Sequence, residues 1–185
     1  MPFDPGRHHR GSTRLSGYDY TAPGWYFVTI CTYQRLGLFD DPRLRGVAEE
    51  LWRALPRFDP FVGVDEWVVM PNHVHGIIEI RERPAARQPH TVTTEGNVRA
   101  TGIGINVTPG ALGTIVRSYK AMVTRRANRI TRQLGGPIWQ RGFWERVICD
   151  EHELEATRQY IQDNPRRWAE DRDNLDALLA RMNAD

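Results

Sequence analysis

Cysteine is scarce in this chain: of 185 residues, only Cys31 and Cys149 are thiols, far apart and without CxxC spacing. That argues against a disulfide framework or a CxxC metal or redox motif. Long apolar runs are missing as well, and none reaches the length of a signal-peptide core or a membrane span, so a soluble, reduced, cytoplasmic protein is expected. A large net charge is lacking too, with a formal total of only +2. The total hides an uneven spread, since Arg117 to Arg132 is strongly basic and the chain beyond Asp150 is rich in acids. A phosphate-binding glycine triplet is also absent. Gly102-Ile103-Gly104 lacks the third glycine and the strand-turn-helix setting, so no nucleotide cofactor is expected. What remains is one domain of ordinary hydrophobicity, long enough to bury its own core.

Periodicity divides the chain. Residues 1–17 are rich in Arg, His, Gly and Pro and read as a basic arm. Trp25 to Tyr33 is dense in aromatic and β-branched residues and reads as the first strand. Asp41-Pro42 opens a helix with Leu44, Val47, Leu51 and Leu55 on one stripe. Glu66 to Met70 and His73 to Ile80 form two strands of a hairpin around Pro71-Asn72. Residues 84–109 lose all period and form a long loop. Thr108-Pro109 starts a second helix with Leu112, Ile115, Val116, Tyr119 and Val123 inward and a basic outer face. Ile138 to Ile148 returns to strand chemistry, and Asp150 with Glu153 is a capping-box-like start for a further helix. Residues 169–185 are a C-terminal extension with a short amphipathic piece.

Strand, helix, strand, strand, helix, strand is the ferredoxin-like (RRM-like) order: an α+β fold whose antiparallel sheet carries helices on one face, with an added C-terminal helix. The first and third strands are then central, and the other sheet face is left open to a substrate. His73-Val74-His75 matters most on such a strand. Alternation sends both imidazoles to one face and Val74 to the other, a geometry that suits one divalent ion. Alone, the pair reads more readily as a turn detail than as a metal site. Tyr160 and Asn164 are one helical turn apart in the last helix, with Asn164 placed at its end by Pro165. Singly, they read as a half-buried aromatic and a helix-end residue. Trp139, Trp144 and Trp168 read as core or as stacking surfaces for bases.

Several spaced motifs agree in order: Pro71-Asn72-His73-Val74-His75-Gly76, Ser118-Tyr119-Lys120 with the arginines after it, Trp139-Gln140-Arg141-Gly142-Phe143-Trp144-Glu145-Arg146-Val147-Ile148, and Tyr160-Ile161-Gln162-Asp163-Asn164-Pro165. Together they closely resemble the single-tyrosine HUH transposases of bacterial insertion sequences. Gly17-Tyr18-Asp19-Tyr20 and Gly24 to Ile30 look most like the REP-associated tyrosine transposases. The likeness runs from about Arg10 to Trp168, which makes 18–168 the transposase domain; the loop 84–109 and the tail after Trp168 depart from compact members.

The resemblance implies an enzyme that nicks and rejoins single-stranded DNA near hairpins, with Tyr160 forming a covalent 5′-phosphotyrosine link. It further implies that His73, His75 and Asn164 hold a divalent metal, Mg2+ or Mn2+. Arg117, Lys120, Arg125, Arg126 and Arg129 are the expected DNA-binding residues, each read equally as a solvated helix face. A monomer and a homodimer both remain open. The competing readings are a domesticated module that binds a DNA hairpin without strand transfer, and a metal-dependent phosphodiesterase using water.

Overall fold

The computed structural model describes residues 17–83, 110–132 and 136–168. The basic arm, the loop 84–109 and the C-terminal extension lie outside these residues. Four strands, β1 (Gly24–Cys31), β2 (Val62–Met70), β3 (His73–Ile80) and β4 (Trp144–Ile148), form one sheet in the order β2-β3-β1-β4. Every pairing is antiparallel, and β1 and β3 occupy the centre as expected. The helices are α1 (Pro42–Arg53), the short α2 (Leu55–Phe58), α3 (Leu112–Thr131) and α4 (Glu151–Arg167).

Strand alternation sorts the side chains into two layers. Tyr26, Val28 and Ile30 of β1 and Val74, Ile78 and Ile80 of β3 face α1 and α3, where they join Leu44, Leu51, Trp52, Val116, Tyr119 and Val123 in the main core. Phe27, Ile77 and Ile148 point the other way and meet Leu154 and Ile161 of α4 in a second, smaller cluster. The sheet is thus covered on one side by α1 and α3. Its other side is not wholly open: α4 lies over β2 and β3 and leaves the β1–β4 part beyond Phe27 uncovered.

Local chemistry explains most element ends. Asp41 caps α1 by accepting from the Arg43 amide at 2.9 Å, with Pro42 in the first turn. β1 stops at Cys31, two residues before Tyr33: the Thr32 amide still donates to the Asn72 carbonyl at 2.9 Å, in register with β3, but a 3-10 turn follows at Tyr33–Arg35 with positive φ at Gln34 and Arg35. α3 begins at Leu112 and not at Thr108-Pro109: Gly110 has φ +79° and Ala111 is extended, so the helix cannot reach back through them. β4 spans only Trp144–Ile148, while Trp139 makes a single bridge to Thr32. Gly76 is required by close approach, since a Cβ there would overlap the Trp52 ring that packs under β3. That contact seats the strand segment carrying His75.

Candidate active site

On β3 the residues 73, 75 and 77 share the α4 side of the sheet, and both imidazoles are almost fully buried, His73 at 1 % exposure and His75 at 6 %. Their ring centroids lie 4.3 Å apart. Each ring is held by a neighbour. His75 Nδ1 is 2.9 Å from Thr29 Oγ1, its partner across the β1–β3 ladder. His73 Nδ1 lies 2.7 Å from Asn72 Oδ1, an acceptor, so Nδ1 carries the proton and donates. The lone pair of His73 therefore sits on Nε2, which is buried and has no hydrogen-bond partner.

Burial, reinforced by the Arg35 guanidinium, pushes the His73 pKa down to about 4, so the ring is neutral at physiological pH. In the unfolded chain the group titrates near 6.5. Between these values the unfolded state binds more protons, so His73 contributes stability above pH 6.5 that is lost as pH falls toward 4, by about 3 kcal/mol in all. Denaturant titrations in chelator at pH 7.0 and 4.5 are expected to show a smaller loss in His73→Gln than in the wild type. An equal loss in both proteins sinks this account.

α4 brings the remaining groups. Asp150 caps it by accepting from the Glu153 amide at 2.7 Å, and Glu153 Oε2 accepts in turn from the Cys149 amide at 2.9 Å. The helix is tied to a bulge in β2, where the register shifts between Val64 and Trp67 and presents Asp65 and Glu66. Arg158 grips Asp65 through two bonds of 2.9 Å, and Gln162 donates to Glu66 at 3.0 Å. The same pairing holds the Asp65 carboxyl below its ordinary range. With residues 158 and 162 fixed on β2, Tyr160 turns toward the histidines. Its ring lies 5.4 Å from His75 and 5.9 Å from Phe27, and the residue is 45 % exposed.

The helix does not end at Asn164 as the following proline suggests. It continues through Pro165 to Arg167, and the Trp168 ring packs 5.8 Å from His73. Packing at both ends of this turn offsets the one backbone bond that the proline removes. Tyr160 against His75 and Trp168 against His73 bracket Asn164, which is buried and whose Oδ1 has no hydrogen-bond partner. Two orphaned polar atoms, one imidazole nitrogen and one amide oxygen, are thus buried beneath α4 beside an exposed phenol.

No protein-family model matches the chain. A Haemophilus influenzae protein, described only as uncharacterized, is 36 % identical over 177 residues, covering 91 % of this chain and 95 % of its own length. The chain belongs to one family with that protein. Among solved structures, a REP-associated tyrosine transposase bound to a REP hairpin aligns with a TM-score of 0.55 at 20 % identity, over 84 % of this chain and 73 % of that one. This chain shares the α+β fold of that transposase, and its C-terminal helix is consistent with it.

Within that fold the basic residues of α3 are not beside the histidines. Val116, Tyr119 and Val123 anchor α3 in the main core, behind the sheet from His73 and His75. Lys120 is committed to structure: its ammonium donates to the Gln140 and Gly142 carbonyls at 2.6 and 2.8 Å, and burial lowers its pKa. Arg126 pairs with Glu50 at 2.7 Å. Arg117, Arg125 and Arg129 are exposed. Of the tryptophans, Trp139 is core, packed on Phe39 and Tyr119, whereas Trp144 is 40 % exposed on the α4 side of the sheet. Sequence reasoning missed Thr29, Arg158, Asp65, Gln162 and Glu66. Asn72 in the Pro-Asn-His run, Gln162 in the Tyr160–Pro165 run and Thr29 in the Gly24–Ile30 run lay within recognised motifs, whereas Asp65 and Arg158 carried no such signal.

Among the described residues no group of three His, Cys, Asp or Glu side chains is placed to hold a metal. The donors that fit an ion are His73 Nε2, the His75 ring and Asn164 Oδ1, a neutral nitrogen-rich set. Mn2+ accepts such donors readily, and Mg2+ would need water and phosphate oxygens to complete its shell. No helix among the described residues is long and apolar enough to cross a membrane.

Proposed function

We propose that this chain is a transposase-type strand-transferase that nicks and rejoins single-stranded DNA near hairpins through a covalent 5′-phosphotyrosine intermediate. The observation that carries the reading is the placement of an exposed Tyr160 phenol against His75, with the orphaned His73 Nε2 and Asn164 Oδ1 buried beside it. The fold shared with a transposase solved on a REP hairpin supports the substrate class.

In this reading Tyr160 Oη attacks the scissile phosphorus, forming a new P–O bond as the bond to the 3′ oxygen breaks. The phenol proton passes to solvent, and the departing 3′ oxygen is protonated to a hydroxyl. His73, His75 and Asn164 hold Mg2+ or Mn2+, which when bound stabilises charge growing on the phosphate oxygens. Asn72 and Thr29 orient the two imidazoles, and the Asp65–Arg158 and Glu66–Gln162 pairs keep Tyr160 in register with them. Attack by a second 3′ hydroxyl on the phosphotyrosine reverses the step and releases the phenol, so no nucleotide cofactor is needed. One chain supplies all four groups. Arg117, Arg125 and Arg129, on the outer side of α3, take duplex-stem phosphates remote from the cleavage centre and make binding salt-dependent.

Incubation with hairpin-bearing single-stranded DNA and Mn2+ is expected to yield a protein–DNA adduct that survives a denaturing gel. Cleavage without adduct would replace this reading with a water-using phosphodiesterase. Binding without either product would leave a DNA-hairpin-binding module.

A further inference from the structure

The part of the sheet that α4 leaves uncovered carries a second aromatic group whose position relates it to Tyr160. β4 pairs with β1 so that Trp144 lies opposite Thr29 and Arg146 opposite Phe27, and all four side chains fall on the α4 side. Thr29 is also the residue opposite His75 on β3 and bonded to its Nδ1. Trp144, Thr29 and His75 therefore form one rung across three adjacent strands. Two interstrand spacings put the indole about 10 Å from the imidazole. The Phe27 ring fills the angle between them, 5.5 Å from Trp144, 5.4 Å from His75 and 5.9 Å from Tyr160.

Leu154 and Ile161 of α4 close over Phe27, Ile77 and Ile148, and this cover ends before Trp144. Trp144 and Tyr160, at 40 % and 45 % exposure, are thus two exposed aromatics on either side of a buried phenylalanine. A strand delivering a phosphate to Tyr160 from this side passes over the indole. At about 3.4 Å per stacked nucleotide, the 10 Å separation corresponds to no more than about three nucleotides.

The chemistry of the patch selects the occupant. One indole beside an ion pair is far below the roughly 800 Å² per partner of a stable protein interface, whereas a single aromatic face is the unit that receives one unpaired base. Arg146, next on the same face with 63 % of its side chain exposed, keeps a guanidinium beside the indole, where it pairs with Glu153. We propose that Trp144 is the stacking platform for an unpaired base within about three nucleotides of the phosphate presented to Tyr160. The proposal rests on Tyr160 being the nucleophile, and its test separates the two.

Binding is measured with chelator present, in Tyr160→Phe protein, by anisotropy of a labelled hairpin-bearing single strand in which one abasic nucleotide is moved stepwise across the cleavage site. Adding Trp144→Ala is expected to weaken binding of intact DNA roughly tenfold, while Trp144→Phe keeps most of the affinity. One abasic position is expected to weaken the Trp144 protein by a similar factor and the Trp144→Ala protein hardly at all, because both changes remove the same stack. Equal losses in both proteins at every position overturn the platform, as does unchanged affinity in Trp144→Ala. The nucleophile is tested separately on unmodified DNA with Tyr160 intact. Adduct formation together with equal abasic losses overturns the platform alone; coupling between Trp144 and one base without any adduct supports the platform and overturns the nucleophile.

Discussion

Tyr160→Phe is expected to abolish the covalent protein–DNA adduct, lowering strand cleavage by at least about 10⁴-fold, while the protein folds and binds DNA as before. The substitution removes one oxygen and keeps the ring. The edge-on contacts with His75 at 5.4 Å and Phe27 at 5.9 Å are made by ring carbons, so phenylalanine retains them. In a residue 45 % exposed, the loss of a hydroxyl is expected to cost no more than about 1 kcal/mol, the scale of one hydrogen bond. Stability and activity therefore separate cleanly in this variant. A denaturing gel of the protein with a 3′-labelled strand reads the outcome, because the 5′-phosphotyrosine holds the fragment that carries the 3′ end, and an adduct persisting at wild-type yield rules out Tyr160 as nucleophile. Residual cleavage producing a free 5′ phosphate would show that the site can also activate water.

Whatever follows from a two-residue or a 3.6-residue period was legible in the sequence. Alternation alone put His73 and His75 together and Val74 into the main core, where it is fully buried. The order of elements gave the strand order, and Asp150 with Glu153 marked the start of α4 where a cap forms. What was not legible depends on contacts between elements. The basic face of α3 is visible as a pattern, but the pattern cannot say which side of the sheet the helix will occupy, and Lys120 is spent on carbonyls some twenty residues away. The Asp65–Arg158 pair joins positions 93 residues apart through a bulge that has no mark in the Val-Asp-Glu-Trp run. Pro165 shows a local rule losing to packing. The restriction on the preceding residue is real, yet the half-buried Trp168 reaches His73 only if the helix continues past the buried Asn164.

That continuation is what gives the histidine pair a third neighbour. With the helix ended at Asn164, Trp168 would not reach His73, and the amide would be a solvated terminus. Extended through Pro165, α4 presents residues 160, 164 and 168 on one face at one-turn intervals against a strand presenting 73 and 75. The hairpin turn fixes one row, and the Asp65 and Glu66 tethers fix the other.

His73→Ala should then separate catalysis from DNA binding in a different way. Removing the ring deletes the Nε2 donor and the bond that Asn72 Oδ1 accepts at 2.7 Å, so the variant loses about 0.5–1.5 kcal/mol for that hydrogen bond, plus a cavity cost. His73→Gln serves as the companion, because its amide restores hydrogen-bonding capacity and volume without an imidazole. Both variants are expected to lose cleavage by on the order of a thousandfold, since charge growing on the phosphate oxygens would go uncompensated by several kcal/mol. Both should keep most of the affinity for single-stranded DNA, because that affinity comes from phosphate contacts made elsewhere, and the salt dependence of binding should stay the same. Calorimetric titration with Mn2+ gives a readout independent of turnover: affinity should fall at least tenfold in both variants. Wild-type cleavage, or Mn2+ affinity unchanged in His73→Gln, would remove His73 from the metal site. If the alanine variant alone lost activity while the glutamine variant kept it, the ring would be a packing element under α4, and Nε2 would have no part in the chemistry.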